Sequence, residues 1–160
     1  MSTLAIDYFP VSTRVHGSGS SSEARQIEQR VRQPLEQLKR ALSFSEYAFN
    51  ELEDLLNKAN RDNWDNLGSQ PLSHATYIKA KAFLLAFPSQ LSVPELTVDR
   101  DGEVNFDWFG NFGKNFSVSL RADGKLTYAG KFSPVGSTHG TNFFDDEIPE
   151  EILVMVKKLK

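Results

Sequence analysis

Cysteine is absent from this 160-residue chain. That excludes disulfides, thiolate metal sites and cysteine nucleophiles, and it fits a reducing compartment. A charge excess of one sign is also missing. The 18 Lys and Arg residues against 21 Asp and Glu leave a formal charge of −3, which gives no electrostatic case for nucleic acid or an anionic membrane surface. No apolar run reaches the ~18 residues of a membrane-spanning helix. The opening Met1-Ser2-Thr3-Leu4 lacks the basic flank and apolar core of a signal peptide. The expected location is therefore cytoplasmic, with no nucleic-acid partner and no membrane partner. Histidine occurs only three times, and no H-E-x-x-H, paired-His or nucleophile-elbow spacing is present. The string Gly110-Asn111-Phe112-Gly113-Lys114 lacks the spacing and following helix of a phosphate loop. No cofactor, metal set or catalytic residue is assigned from sequence.

What is present is a pattern of period two between Glu95 and Gly130. Leu96 and Val98, then Val104, Phe106 and Trp108, then Phe116, Val118 and Leu120, then Leu126 and Tyr128 alternate with polar residues. Each set falls on one face of a strand. Asp101-Gly102 and Asp123-Gly124 separate successive runs, as tight hairpin turns do. A fifth short strand is expected at Ala129–Phe132 or Asn142–Phe144. Ahead of the sheet the period becomes helical. Ile27, Val31, Leu35, Leu38 and Leu42 form a narrow, nearly heptad seam in a helix over Glu23–Leu42, with a kink or break expected at Pro34. Arg25, Arg30, Arg32, Lys39 and Arg40 on this helix read as a solvated face balanced by acids. A second helix is expected from Ser43 or Ser45 to about Ala59, since Ser43-x-x-Glu46 has capping-box spacing. A third, from Ser73 to Phe87, is apolar on more than one side and should be buried. A last helix should run from Pro149 to about Leu159. The fold class is therefore α+β: N-terminal helices, a four- to five-stranded antiparallel meander and a C-terminal helix. Residues 1–22, with an apolar Leu4–Val11 and a Gly/Ser linker, are expected to be a flexible arm, and 23–160 one domain. The seam is expected to pack on the second helix or on a second subunit, which leaves monomer and homodimer both open.

Three groups of residues are candidates for function. Trp64 and Asp65, in Trp64-Asp65-Asn66-Leu67-Gly68, read as a loop anchor, with a ligand platform as the alternative. Phe109, Phe112, Phe143 and Phe144 fall outside the alternating core positions. They either close the ends of the sheet or form an exposed patch for a protein partner. His139 lies between Gly136 and Gly140, ahead of Thr141, Asp145, Asp146 and Glu147. It reads as a hydrogen-bonded loop residue with the acids as helix caps. The alternative is a small metal-binding or acid–base site built on His139, Asp145 and Asp146.

The strings D-G-E-V-N-F-D-W, S-V-S-L, D-G-K-L-T-Y-A-G, H-G-T and F-D-D-E-I-P-E-E-I, with W-D-x-x-G at Trp64 and F-L-x-x-F-P ending at Pro88, resemble a family of small uncharacterised bacterial proteins. The resemblance covers roughly residues 60–160. It implies a bacterial, cytoplasmic protein with a sheet-plus-helices domain, and it carries over no catalytic role. The functional expectation is a non-enzymatic protein-binding or accessory, antitoxin-like module.

Overall fold

The computed structural model describes residues 22–134 and 136–160. The expected N-terminal arm, with its Leu4–Val11 strand and Gly/Ser linker, lies outside the described residues apart from Ser22. Contacts group the chain into two units, 1–36 and 37–160.

The sheet forms where alternation is strongest. Strands β1 (Glu95–Val98), β2 (Val104–Phe109), β3 (Asn115–Leu120), β4 (Lys125–Lys131) and β5 (Ser137–Phe143) pair antiparallel in the order β1-β2-β3-β4-β5. Register stacks the apolar residues in rows across the sheet. Leu96, Phe106, Val118 and Tyr128 share one row, and Val98, Val104, Leu120 and Leu126 another. The β1–β2 and β3–β4 hairpins turn at the two Asp-Gly pairs, as expected. Asp99 and Arg121 donate their amides to the Glu103 and Lys125 carbonyls, closing three-residue loops in which only the glycine has positive φ, +76° at Gly102 and +84° at Gly124. This is a type I turn followed by a left-handed residue. A side chain at Gly102 would also strike the Pro71 carbonyl, 2.5 Å from the added carbon.

The fifth strand is longer than expected. It pairs with β4 along its whole length, Lys125 with Phe143 through to Lys131 with Ser137. Its sequence, Ser-Thr-His-Gly-Thr-Asn-Phe, lacks the apolar alternation of a core strand, and a side chain at Gly140 would strike the Tyr128 ring.

Three helices supply the cover. α1 (Ser22–Ala59) runs unbroken through Pro34 and through Leu42–Ser45, where a connection between two helices was expected. The 42–45 stretch holds no glycine or proline to stop the helix. Moreover, Phe44 is buried there, stacked 6.1 Å from Phe87, so burial favours continuing over a capping box at Ser43. Pro34 removes one backbone donor but does not end the helix. The last turns of α1 bury Ala48, Leu52 and Ala59. α2 (His74–Ala86) is capped by the Ser73 hydroxyl, which accepts the Thr76 amide at 3.0 Å. It buries Ala80, Phe83 and Leu84, yet it exposes Ile78 and Leu85, so it is not buried all round. Phe83 anchors the core, its centroid 4.5 Å from Phe106 and 5.4 Å from Phe144. α3 (Glu150–Lys157) adds Ile152 and Val156. The opposite sheet face, with Thr97, Asn105, Asp107, Ser117 and Ser119, is a polar ladder. There Ser117 donates to Asp107 at 2.5 Å and Ser119 to Asn105.

Candidate functional site

The most distinctive surface feature is the β2–β3 connection. Gly110 donates its amide to the Lys114 carbonyl at 2.9 Å, and Lys114 returns one to Asn111. The tip between them, Asn111–Gly113, turns through Phe112 (φ +58°, ψ 33°) and Gly113 (φ +73°). Glycine suits that conformation; a phenylalanine there is strained by its Cβ. The Phe112 side chain is fully exposed (101 %), and Phe109 at the end of β2 is 65 % exposed. Two bare aromatic rings thus stand at one end of the sheet.

The surroundings of this tip are basic. The Lys114 ammonium donates to the Lys158 and Lys160 carbonyls at 3.2 and 3.5 Å, which ties the C-terminal residues to the hairpin. Lys158 and Lys160 are exposed, and Lys131 lies across β3 from Phe109 through Asn115. Beside the rings is a hollow of about 270 Å³ lined by Ser92, Trp108, Phe109, Gly110, Asn111, Leu159 and Lys160. Trp108 floors it, and its indole N–H is satisfied by the Ser92 carbonyl at 2.9 Å.

The other aromatic candidates do not join this patch. Phe143 is exposed but lies at the opposite end of the sheet, opposite Lys125, whereas Phe109 reaches Lys131 through Asn115. The distance along the strand from Lys125 to Lys131 separates the two by roughly 20 Å. Phe144 is core. It is buried edge-on against Phe83, with the Lys79 ammonium 5.8 Å from its centroid.

His139 is not in a glycine loop. It is a mid-strand residue of β5, opposite Ala129, with an exposed side chain. Strand β5 ends at Phe143, so Asp145 and Asp146 lie beyond it and share no loop with His139. Among the described residues, no group of three or more His, Cys, Asp and Glu is placed to hold a metal ion. No helix among them is long and apolar enough to cross a membrane.

Trp64 and Asp65 organise the loop after α1. The Trp64 indole donates to the Gln70 carbonyl at 3.2 Å, and the Lys58 ammonium lies 5.7 Å over its ring. The Asp65 carboxylate accepts from the Ser69 hydroxyl at 2.6 Å and from the Leu67 and Ser69 amides. The Ser69 hydroxyl foremost, then the Leu67 and Ser69 amides, holds its carboxyl below the ordinary 3.8. Both carboxylate oxygens of Asp65 are thus engaged inside the loop, which is what a loop anchor does.

A second hollow had no sequence expectation behind it. A cleft of about 410 Å³ opens between the Gln70–Ser73 segment and the Asp101-Gly102 turn, lined also by Thr76, Glu103, Arg121 and Ala122. Burial foremost, then the Asp99 charge, raises the Glu103 carboxyl, while Arg121, 3.8 Å away, opposes the rise. The alternation of acids around both turns, at Asp99, Asp101, Glu103 and Asp123, was the available signal. The Ser73 hydroxyl is engaged as a helix cap by Thr76.

Comparison with protein-family models, curated proteins and solved structures finds no match to this chain.

Proposed function

We propose that this chain is a non-enzymatic binding module, an accessory or antitoxin-like partner of another protein, and that the hairpin tip at Phe112 is its docking element. The observation that carries the reading is a fully exposed aromatic side chain held in a strained, left-handed backbone. Strain of this kind persists where the surrounding structure enforces it, and it clusters at functional positions. Phe109 and the adjoining hollow enlarge the apolar contact. The lysines at 114, 131, 158 and 160 favour a partner whose apolar pocket has an acidic rim. The motif resemblance supports a bacterial, cytoplasmic setting, and the absence of cysteine fits a reducing compartment.

A photo-crosslinking phenylalanine analogue at position 112, expressed in the native cell, tests this. One defined protein adduct is expected, absent when the analogue replaces Thr127 on the polar sheet face and reduced by Phe109→Ala. Equal labelling from both positions, or none from 112, would refute the docking role.

A further inference from the structure

A phenylalanine stays in the left-handed region only where its neighbours hold the backbone there. At this tip the flanking residues do the holding, and both are fixed to the segment just beyond α3. Gly110 lies against Leu159. A Cβ built at Gly110 would sit 2.3 Å from the Leu159 carbonyl oxygen, so the missing side chain is what lets the hairpin come so close. Leu159 is itself part of the core, 5 % exposed. The base of the tip therefore rests on a residue that cannot shift without disturbing the core.

Lys114, on the other side of the tip, is engaged three times over. Its backbone carbonyl accepts the Gly110 amide at 2.9 Å, and its backbone amide donates to the Asn111 carbonyl at 3.3 Å. These two bonds close the turn around Phe112. The side chain is half-buried, and its ammonium donates to the Lys158 and Lys160 carbonyls at 3.2 and 3.5 Å. Those carbonyls follow directly on α3, which ends at Lys157. A helix end leaves backbone acceptors without intrahelical partners, and its dipole favours a cation beside them. Lys158 and Lys114 are 44 residues apart in sequence, so the bond joins two elements that nothing local ties together. The Lys158 ammonium turns back to the Met155 sulfur of α3, 3.8 Å away, and leaves the carbonyls to Lys114. Among the described residues, no other side chain hydrogen-bonds to residues 110–114. Holding a long lysine side chain in one rotamer costs entropy, which charge-assisted bonds to two acceptors offset.

We infer that Lys114 is a positioning residue: by binding the carbonyls beyond α3, its ammonium locks the hairpin tip and holds Phe112 in its left-handed conformation. The consequence for partner capture rests on the docking role proposed above, whereas the lock does not. The acceptors require a donor, so a neutral side chain of the same length cannot serve and another cationic donor can. Loss of the ammonium frees residues 111–113 alone, because β2 and β3 remain paired from Val104 with Leu120 to Phe109 with Asn115.

Backbone nitrogen-15 relaxation on the full chain reads the tip directly. In the wild type the Phe112 amide is expected to be as rigid as the strands, with an order parameter of about 0.8 or more. Lys114→Met keeps the aliphatic stem but removes the donors, and should drop that value below about 0.6. The Phe106 and Val118 amides, which report on the sheet, should not change. Lys114→Arg returns the donors and should restore the rigid tip, a rescue that packing of the stem would not need. The photo-crosslinking analogue at position 112 should lose most of its adduct with Lys114→Met and regain it with Lys114→Arg. A wild-type tip already below about 0.6, a tip unmoved by Lys114→Met, or one left loose by Lys114→Arg overturns the lock. A tip that loosens and is rescued while even the wild type forms no adduct supports the lock and overturns the docking role.

Discussion

Replacing Phe112 with asparagine should stabilise the protein while removing its docking ring. The exposed ring buries no surface, so deleting it forfeits no hydrophobic free energy. The φ of +58° is costly for an aromatic residue, of order 1–2 kcal/mol, and is tolerated by asparagine, whose short amide bonds locally. Unlike glycine, asparagine adds little freedom to the unfolded chain, so most of the relief is kept. The expected gain is about 0.5–1 kcal/mol, or roughly 1–4 °C in Tm for a chain of this size. Urea and thermal unfolding measure it, with crosslinking from an analogue at position 109 as the functional readout. Two outcomes would refute the reasoning: a loss of about 1 kcal/mol or more, which would mean the ring packs against something, or unchanged partner capture.

Glu51, Asp65 and Gly102 give three further tests. Glu51 carries a buried carboxylate oxygen, Oε2, without a hydrogen-bond partner, and burial foremost raises its pKa above 4.5 against the opposing Leu96 backbone bond. A raised acid favours the folded state at low pH and loses that contribution as pH rises through its folded pKa. Glu51→Gln should therefore stabilise the protein at pH 7 by about 0.5–1 kcal/mol, a figure reduced for the partial solvent access of the group, and flatten the pH dependence above 4.5. Denaturation curves from pH 4 to 8 that coincide for the wild type and the variant would count against it. Asp65 has the opposite sign: its depressed carboxyl contributes above its ordinary 3.8 and loses that contribution as pH falls through the folded value. Asp65→Ala should lower the urea midpoint at pH 7, by an amount that shrinks in acid titrations as the pH drops below that ordinary value. Gly102→Ala combines a left-handed φ with a carbon 2.5 Å from the Pro71 carbonyl, and should cost about 2 kcal/mol or more in thermal unfolding.

The alternating residues between Leu96 and Tyr128 were enough to specify four strands, their order and their apolar face. A period of two, interrupted by Asp-Gly, admits few other arrangements. The cap at Ser73 and the C-terminal helix were likewise local, set by a side chain's reach to nearby amides and by a short apolar repeat. The exposed state of Phe109 and Phe112 was legible only as an alternative, since a residue outside the alternation can either close the sheet or leave it. Burial decided between them, sending Phe144 into the core beside Phe83 and leaving Phe112 bare.

Other features depended on contacts between residues far apart in sequence. β5 carries little apolar alternation of its own and is held by its pairing with β4 along the whole strand. That pairing moved His139 out of the expected loop. α1 is one helix because Phe44 finds Phe87, across a separation in sequence that no local capping signal at Ser43 can register. Periodicity and turn chemistry act over a few neighbouring residues, so they were sufficient to mark which segments are strand or helix. The burial of each apolar side chain was not legible in that way, because it depends on what distant parts of the chain bring to meet it.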